Sequence, residues 1–197
     1  IVTIAKKAKE MGLYVVWVEN NDTVQLTETG WGEYLDNVKL DAPFARTVDE
    51  FIVGNELSIH NDSSSGYDDT ALPNKIKYLV MECKQLLDCK VGYQEGWWKK
   101  DSWYNAKLEN VEKMYFTLYE SLSDFDGNLR DIYQKFGDRA GIGEWSTQST
   151  LDTSSSDERD WYNKIKTRLL ILESVGIDHS YFCFRDTGEN NNQKGFG

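Results

Sequence analysis

The stretch VGNELSIH, residues 53–60, is an apolar strand pattern that runs directly into an amide and a carboxylate. An acidic segment, TVDEF, precedes it, and a loop rich in Asn, Asp, Ser and Gly follows it. The pattern therefore places Asn55 and Glu56 where a buried strand emerges from the core. Packing alone gives little reason for that pair, so the stretch indicates a functional strand end.

Apolar strand patterns of this kind alternate along the chain with amphipathic helical patterns. The predicted strands cover residues 13–20, 50–57, 90–95, 114–121, 139–146 and 179–186. The predicted helices cover residues 2–11, 27–40, 73–89, 102–113, 127–137 and 154–176. Near-continuous apolar strands separated by helices predict a parallel sheet covered on both faces. A doubly wound sheet and a (β/α) barrel both fit this alternation.

Polar residues recur at the carboxyl ends of the predicted strands. They are Glu19-Asn20, Asn55-Glu56, Gln94-Glu95, Tyr119-Glu120, Glu144-Trp145 and Arg185-Asp186. In a barrel these ends surround one common mouth, where functional residues are expected. The amino-terminal strand ends carry no comparable acidic series, which favours the barrel.

At 197 residues, the chain is long enough for one well-cored domain, and we expect a single domain over residues 1–197.

Two of these strand ends carry the chemistry needed to cleave an acetal. Glu56 and Glu144 stand three βα units apart, so a barrel would turn both towards its mouth. One carboxyl group can protonate the leaving oxygen while the other attacks or activates water. The acid needs a raised pKa, which burial and a neighbouring negative charge supply. Glu95 and Glu120 are rival carboxylates on the same rim.

With GNE (54–56) at one strand end and IGEW (142–145) three strands later, the chain resembles a clan of retaining glycoside hydrolases built on a TIM barrel. LRDIYQKFGDRAGIGEWST (129–147) resembles the clan's passage before its nucleophile. WYNKIKTRLLILESVGIDHSYFCFRDT (161–187) resembles its final helix and eighth strand. The resemblance implies strands three to eight of a (β/α)8 barrel, without the first two βα units.

The resemblance also implies roles for individual residues. Glu56 matches the acid/base, and Asn55 matches the amide that holds the 2-hydroxyl of the reacting sugar. Glu144 matches the nucleophile, and Tyr119 falls near a tyrosine that hydrogen-bonds the nucleophile in several members. The rival carboxylates rank second, because neither has the matching neighbours.

Aromatic residues are abundant, and several fall in polar segments. Exposed indole faces suit flat ligands such as sugar rings. We expect Trp97, Trp98 and Trp145 to bind substrate, with packing of a long loop as the alternative for the first two. Trp103 lies in the same predicted loop, where burial is a weaker explanation.

Composition excludes several classes of partner. A net charge of −11 and a pI near 4.7 argue against nucleic acid and anionic membranes. No apolar run approaches the roughly 20 residues of a membrane span. Three Cys and two His show no metal-ligand spacing, so we expect neither a metal nor an organic cofactor. The opening IVTIAKKAKEMG reads as an amphipathic helix, which suggests a processed chain or a fragment.

The sequence thus predicts a retaining β-glycosidase that acts on an oligo- or polysaccharide and is secreted or at the cell surface. A non-catalytic carbohydrate-binding or structural protein derived from such a barrel is the alternative. The incomplete barrel favours that alternative, as does Phe184-Arg185 where the clan usually has a tryptophan. A parallel α/β sheet with unrelated enzymology is the third possibility, although the chain has no Gly-rich phosphate loop and no nucleophile elbow.

Overall fold

A computed structural model of the chain describes residues 2–19, 28–58, 71–107, 111–145 and 158–181. The strands are β1 Val16–Glu19, β2 Glu50–Asn55, β3 Lys90–Gly96, β4 Lys113–Leu118, β5 Ala140–Trp145 and β6 Asp178–Tyr181. The α-helices are α1 Val2–Glu10, α2 Glu28–Ala45, α3 Ala71–Leu86, α4 Lys100–Asn105, α5 Leu122–Phe136 and α6 Glu158–Val175. Short 3-10 helices cover Trp97–Lys99 and Gly137–Arg139.

The strands follow chain order in the sheet, β1-β2-β3-β4-β5-β6. Strand β1 pairs with β2 in parallel, as do β2 with β3 and β5 with β6. A doubly wound sheet reverses its strand order at a switch point, and this sheet does not. The fold is therefore part of a (β/α)8 TIM barrel, as predicted. The chain forms two compact units, residues 1–114 and 115–197, and the single-domain expectation stays a prediction.

The first unit is built around β2 and β3, whose residues are almost all buried. Helix α3 covers the sheet with side chains three and four positions apart, as an amphipathic helix does. The buried residues of that stripe are Ile76, Leu79, Val80 and Cys83. Gly92 in β3 lies so close to the next strand that an added Cβ would stand 2.6 Å from the Lys113 carbonyl oxygen. The carboxyl ends of β2 and β3 are thus held in a tightly packed frame.

The second unit packs α5 and α6 around β5 and β6. One face of α5 is buried at helical spacing, through Phe125, Leu129, Ile132 and Phe136. Gly141 in β5 meets the ring of Tyr115, because a Cβ there would stand 2.4 Å from a ring carbon. This close approach fixes β5 and the residues at its carboxyl end.

Tertiary packing changes the predicted helices at several places. Helix α2 continues to Ala45, beyond the predicted end at residue 40, because Tyr34, Val38 and Ala45 are all buried. Helix α5 starts at Leu122 rather than at 127, since the backbone amides of Asp124 and Phe125 bond the Ser121 carbonyl.

The helix predicted over residues 102–113 is wrong at residues 106–107 and 111–113, while residues 108–110 lie outside the described residues. Helix α4 ends at Asn105, Lys107 has a left-handed φ of 49°, and β4 begins at Lys113. Four of the residues in the predicted loop WWKKDSW lie in α4. The helix places Trp103 in the core, 1% exposed and stacked on Tyr93 at 4.7 Å between ring centroids. The view of Trp103 as a loop aromatic is therefore corrected.

Candidate functional site

The carboxyl end of β2 carries Glu56 on an unusual backbone. Gly54 has a φ of 74° and Glu56 a φ of 51°, and the β2–β3 register shifts between Ile52 and Asn55. A left-handed non-glycine residue costs about 1–3 kcal/mol and persists only where its surroundings fix it. Here the Glu56 amide donates to the Gln94 carbonyl oxygen at 3.0 Å. The bulge redirects the chain at the strand end, as such irregularities often do beside functional sites.

Asn55 is held by the neighbouring strand. Its Oδ1 accepts a hydrogen bond from Gln94 Nε2 at 2.8 Å, and Gln94 is 1% exposed. Asn55 itself is half-buried. With Oδ1 engaged, Nδ2 is the side-chain donor that Asn55 can present to a ligand.

Glu95 ends β3 with a fully buried carboxyl group. Tyr93 Oη donates to Glu95 Oε2 at 3.0 Å, and the Gly96 amide donates to Oε1 at 2.8 Å. Burial, helped by the negative charge of Glu56, raises the pKa of Glu95 to about 7, although hydrogen bonds from Ser58, the Gly96 amide and Tyr93 lower it. Near neutral pH this carboxyl group can therefore hold or release a proton beside Glu56.

Two tryptophans follow β3. Trp98 is 48% exposed, and its ring lies against Gly96, where an added Cβ would stand 2.5 Å from a ring carbon. Trp97 is half-buried, contacts Trp98 edge to face at 6.4 Å and has Lys100 Nζ 4.8 Å from its ring centroid. The two rings offer apolar surface next to the carboxyl end of β3, and their role in substrate binding stays a prediction.

The carboxyl end of β5 carries Glu144 beside a tyrosine. Tyr119 Oη donates a hydrogen bond to Glu144 Oε2 at 2.8 Å. Both side chains are half-buried, so the carboxylate is oriented and still accessible. The contact between Tyr119 and Glu144 has the form that the sequence resemblance implies, while the catalytic roles stay predictions.

Trp145, the next residue, packs in the core of the second unit. It is 1% exposed, contacts Phe125 at 6.2 Å and donates from Nε1 to His179 Nδ1 at 3.3 Å. Burial lowers the pKa of His179. Trp145 thus supports β5 from inside, and its predicted contact with substrate would need this packing to open.

The remaining strand-end residues divide into two groups. Glu120 is half-buried, and its backbone carbonyl accepts from Arg168 Nη2 at 2.8 Å, so its backbone helps to anchor α6. The Glu19 side chain, Asn20, Phe184 and Arg185-Asp186 lie outside the described residues. The structure thus brings Asn55 and Glu56 together with Gln94 and Glu95 in the first unit, and Tyr119 with Glu144 in the second.

The described part of the chain has no set of three His, Cys, Asp or Glu side chains arranged to hold a metal ion. Within the same residues, no helix is long and apolar enough to cross a membrane.

Sequence reasoning ranked Glu95 second and missed Tyr93. The signal was present, because alternate residues of a strand point the same way and Tyr93-Gln94-Glu95 therefore puts a phenol beside a carboxyl group. What spacing does not reveal is the complete burial of that pair.

No model of a known protein family matches the sequence, and no curated protein matches it. Solved structures do match. A GH113 β-1,4-mannanase in complex form superposes with a TM-score of 0.67 and 14% identity, covering 98% of this chain and 72% of the other. The GH113 β-mannanase AaManA from Alicyclobacillus acidocaldarius gives a TM-score of 0.64 at 12% identity, and the match covers 100% of this chain and 72% of the other.

A psychrophilic glycoside hydrolase family 10 endo-β-1,4-xylanase gives a TM-score of 0.62 at 13% identity, covering 91% of this chain and 69% of the other. At such low identities the similarity concerns the fold alone. This chain has the TIM-barrel-type fold found in these glycoside hydrolases and spans about 70% of their length.

Proposed function

We propose that the protein is a glycoside hydrolase that cleaves β-glycosidic bonds with retention of configuration. The observation that carries the proposal is the placement of Glu56 and Glu144 at the carboxyl ends of β2 and β5. Active sites of TIM-barrel enzymes form at these ends. The fold neighbours act on β-linked polysaccharides by their names, which supports a carbohydrate substrate.

In the first step, Glu56 gives its proton to the glycosidic oxygen as the bond from that oxygen to the anomeric carbon breaks. The Glu144 carboxylate attacks the same carbon and forms a glycosyl ester. The Tyr119 hydrogen bond at 2.8 Å would hold the Glu144 carboxylate in line for this attack.

In the second step, the ionised Glu56 takes a proton from water, and the water oxygen attacks the anomeric carbon. The ester breaks, Glu144 leaves as a carboxylate and the sugar keeps its β-configuration. Asn55 Nδ2 would donate to the 2-hydroxyl in both steps, because Gln94 engages its Oδ1. Trp97 and Trp98 would stack on sugar rings.

The test compares the wild-type protein with Glu144→Ala on aryl β-glycosides and on β-1,4-linked mannan, xylan and cellulose. We expect wild-type turnover on at least one substrate and a loss of about 10⁴-fold or more in the variant. Equal turnover by both proteins would contradict the nucleophile assignment. Polysaccharide binding without turnover by the wild type would favour the non-catalytic alternative.

A further inference from the structure

The proposed mechanism gives no role to Glu95, although its carboxyl group is completely buried at the carboxyl end of β3. It is 0% exposed, and its two oxygens accept from Tyr93 Oη and the Gly96 amide. The ionisable groups that act on it within the described residues are Tyr93 and Glu56. Burial of an ionisable carboxyl group is costly, and buried groups with shifted pKa values are frequent in functional sites.

A chain of hydrogen bonds connects this carboxyl group to the backbone at Glu56. The Leu57 amide donates to Tyr93 Oη at 2.9 Å, and Tyr93 Oη donates in turn to Glu95 Oε2. The Tyr93 ring is itself fixed, since it is fully buried and stacked on Trp103 with an interplanar angle of 28°. Glu95 therefore orients the Tyr93 hydroxyl that accepts from the amide following Glu56.

The other side of Glu56 is held by the same strand. Its own amide donates to the Gln94 carbonyl oxygen at 3.0 Å. Two consecutive amides, at Glu56 and Leu57, are thus fixed by β3, and between them the backbone keeps its left-handed φ of 51°. A loss of either contact would let the Glu56 side chain point elsewhere.

We propose that Glu95 is a positioning residue for Glu56: through Tyr93 it holds the Glu56–Leu57 backbone, and through its charge it couples to the Glu56 proton. The inference rests on the proposed function only in giving Glu56 the role of acid/base. The coupling is reciprocal, because a negative charge on either carboxyl group opposes ionisation of the other. An ionised Glu56 therefore helps Glu95 to keep its proton near neutral pH.

The coupling is testable without any substrate. Carbon-13 NMR titration of side-chain-labelled glutamates follows both carboxyl groups, with Glu56→Gln and Glu95→Gln assigning the two resonances. We expect the Glu95 midpoint to fall by about 0.5 pH unit or more in Glu56→Gln, because the Glu56 charge is one of the causes that raise the pKa of Glu95. Midpoints that stay within about 0.2 pH unit of the wild type would overturn the proposal.

Glu112→Gln is the matched control. The Glu112 carboxylate also binds a β3 amide, that of Val91 at 3.1 Å, but at the opposite end of the strand, and it pairs with Lys84 at 2.7 Å. We expect this variant to leave both midpoints unchanged. A shift as large as that caused by Glu56→Gln would show a general effect and overturn the specific coupling.

Tyr93→Phe tests the positioning role and leaves the Glu95 carboxyl group in place. We expect kcat to fall about 10-fold or more with KM changed less than about threefold, since the loss concerns alignment rather than binding. An unchanged kcat would overturn the positioning role.

A wild-type protein that cleaves no β-glycoside would contradict the proposed function, whereas the NMR midpoints would still decide whether the two carboxyl groups are coupled.

Discussion

The carboxyl ends of β2 and β5 each present a half-buried glutamate, but in different surroundings. Glu56 follows a left-handed bulge and lies beside Glu95, a second carboxyl group that is completely buried. Glu144 lies where the β5–β6 register shifts, between Ile142 and Trp145, and it accepts a hydrogen bond from the Tyr119 hydroxyl. One end can store a proton near neutral pH, and the other orients a carboxylate.

Two-carboxylate chemistry needs this kind of asymmetry, since one group must deliver a proton while the other attacks as an anion. The difference in environment agrees with the roles that the sequence resemblance implies, Glu56 as acid/base and Glu144 as nucleophile.

The largest expected effect comes from Glu56→Gln. We expect kcat on alkyl or polysaccharide substrates to fall about 10³-fold, because general acid catalysis is lost. Dinitrophenyl glycosides need no proton for departure, so their glycosylation rate should fall less than about tenfold. Steady-state and burst kinetics measure both. The reverse pattern, with leaving-group dependence in Glu144→Gln instead, would mean that the two roles are exchanged.

The next effect is the contribution of Glu95 to stability as a function of pH. Its folded-state pKa of about 7 lies above the ordinary 4.5, so the folded chain binds more protons between these values. The contribution of Glu95 to the free energy of unfolding should therefore fall by about 3 kcal/mol as the pH rises from 4.5 to 7, and be largest below 4.5.

Urea unfolding across that pH range gives the free energy of unfolding of the wild type and of Glu95→Gln at each pH. The difference between the two slopes of free energy against pH measures the contribution of Glu95. Glu95→Gln should lose the decline, and Glu112→Gln should keep it. Identical slopes in the wild type and Glu95→Gln would contradict a proton held by Glu95.

A smaller effect is expected from Gly54→Ala at the β2 bulge. A Cβ there would stand 2.7 Å from Leu57 Cδ1 on a backbone with a φ of 74°, so we expect a loss of about 2–3 kcal/mol in the free energy of unfolding. Gly12→Ala is the control, because its φ of 77° brings strain but its Cβ would meet nothing within 4 Å. That variant should lose about 1 kcal/mol. Equal losses by thermal or urea unfolding would mean that the contact with Leu57 is unimportant.

The smallest effect is expected from Tyr119→Phe at the β5 end. The variant removes the hydrogen bond to Glu144 Oε2 and keeps the ring. We expect kcat/KM to fall about 10-fold, equivalent to roughly 1.4 kcal/mol of transition-state stabilisation. Thermal unfolding checks that the variant is folded. An unchanged kcat/KM would mean that the Tyr119 hydroxyl does not assist Glu144 in catalysis.

Much of the fold was predictable because its central strands are apolar runs and its helices carry regular buried stripes. Tertiary contacts decided the rest. Residues 106–113 have helix-forming side chains, yet Lys107 takes a left-handed backbone and the chain enters β4. The polar residues next to Trp103 in the sequence suggested an exposed ring, whereas helix α4 places the ring against Tyr93 in the core.

The candidate site was predictable to the level of strand ends. The position of Glu56 after Gly54-Asn55 and of Glu144 before Trp145 marked both carboxylates in the sequence. The buried partner of Glu56 was harder to rank, because the proton affinity of Glu95 depends on complete desolvation and on a tyrosine two residues away. Neither property follows from residue spacing.

The central claim is that Glu144 forms a covalent ester with the sugar. Mass spectrometry of the protein after reaction with a 2-deoxy-2-fluoro-β-glycosyl fluoride, of the sugar that the wild type cleaves, tests it most directly. The account predicts one added glycosyl group per chain, located on the peptide that contains Glu144 and missing in Glu144→Ala. A label on Glu95, Glu120 or any other residue, or an active protein that takes up no label, would contradict it.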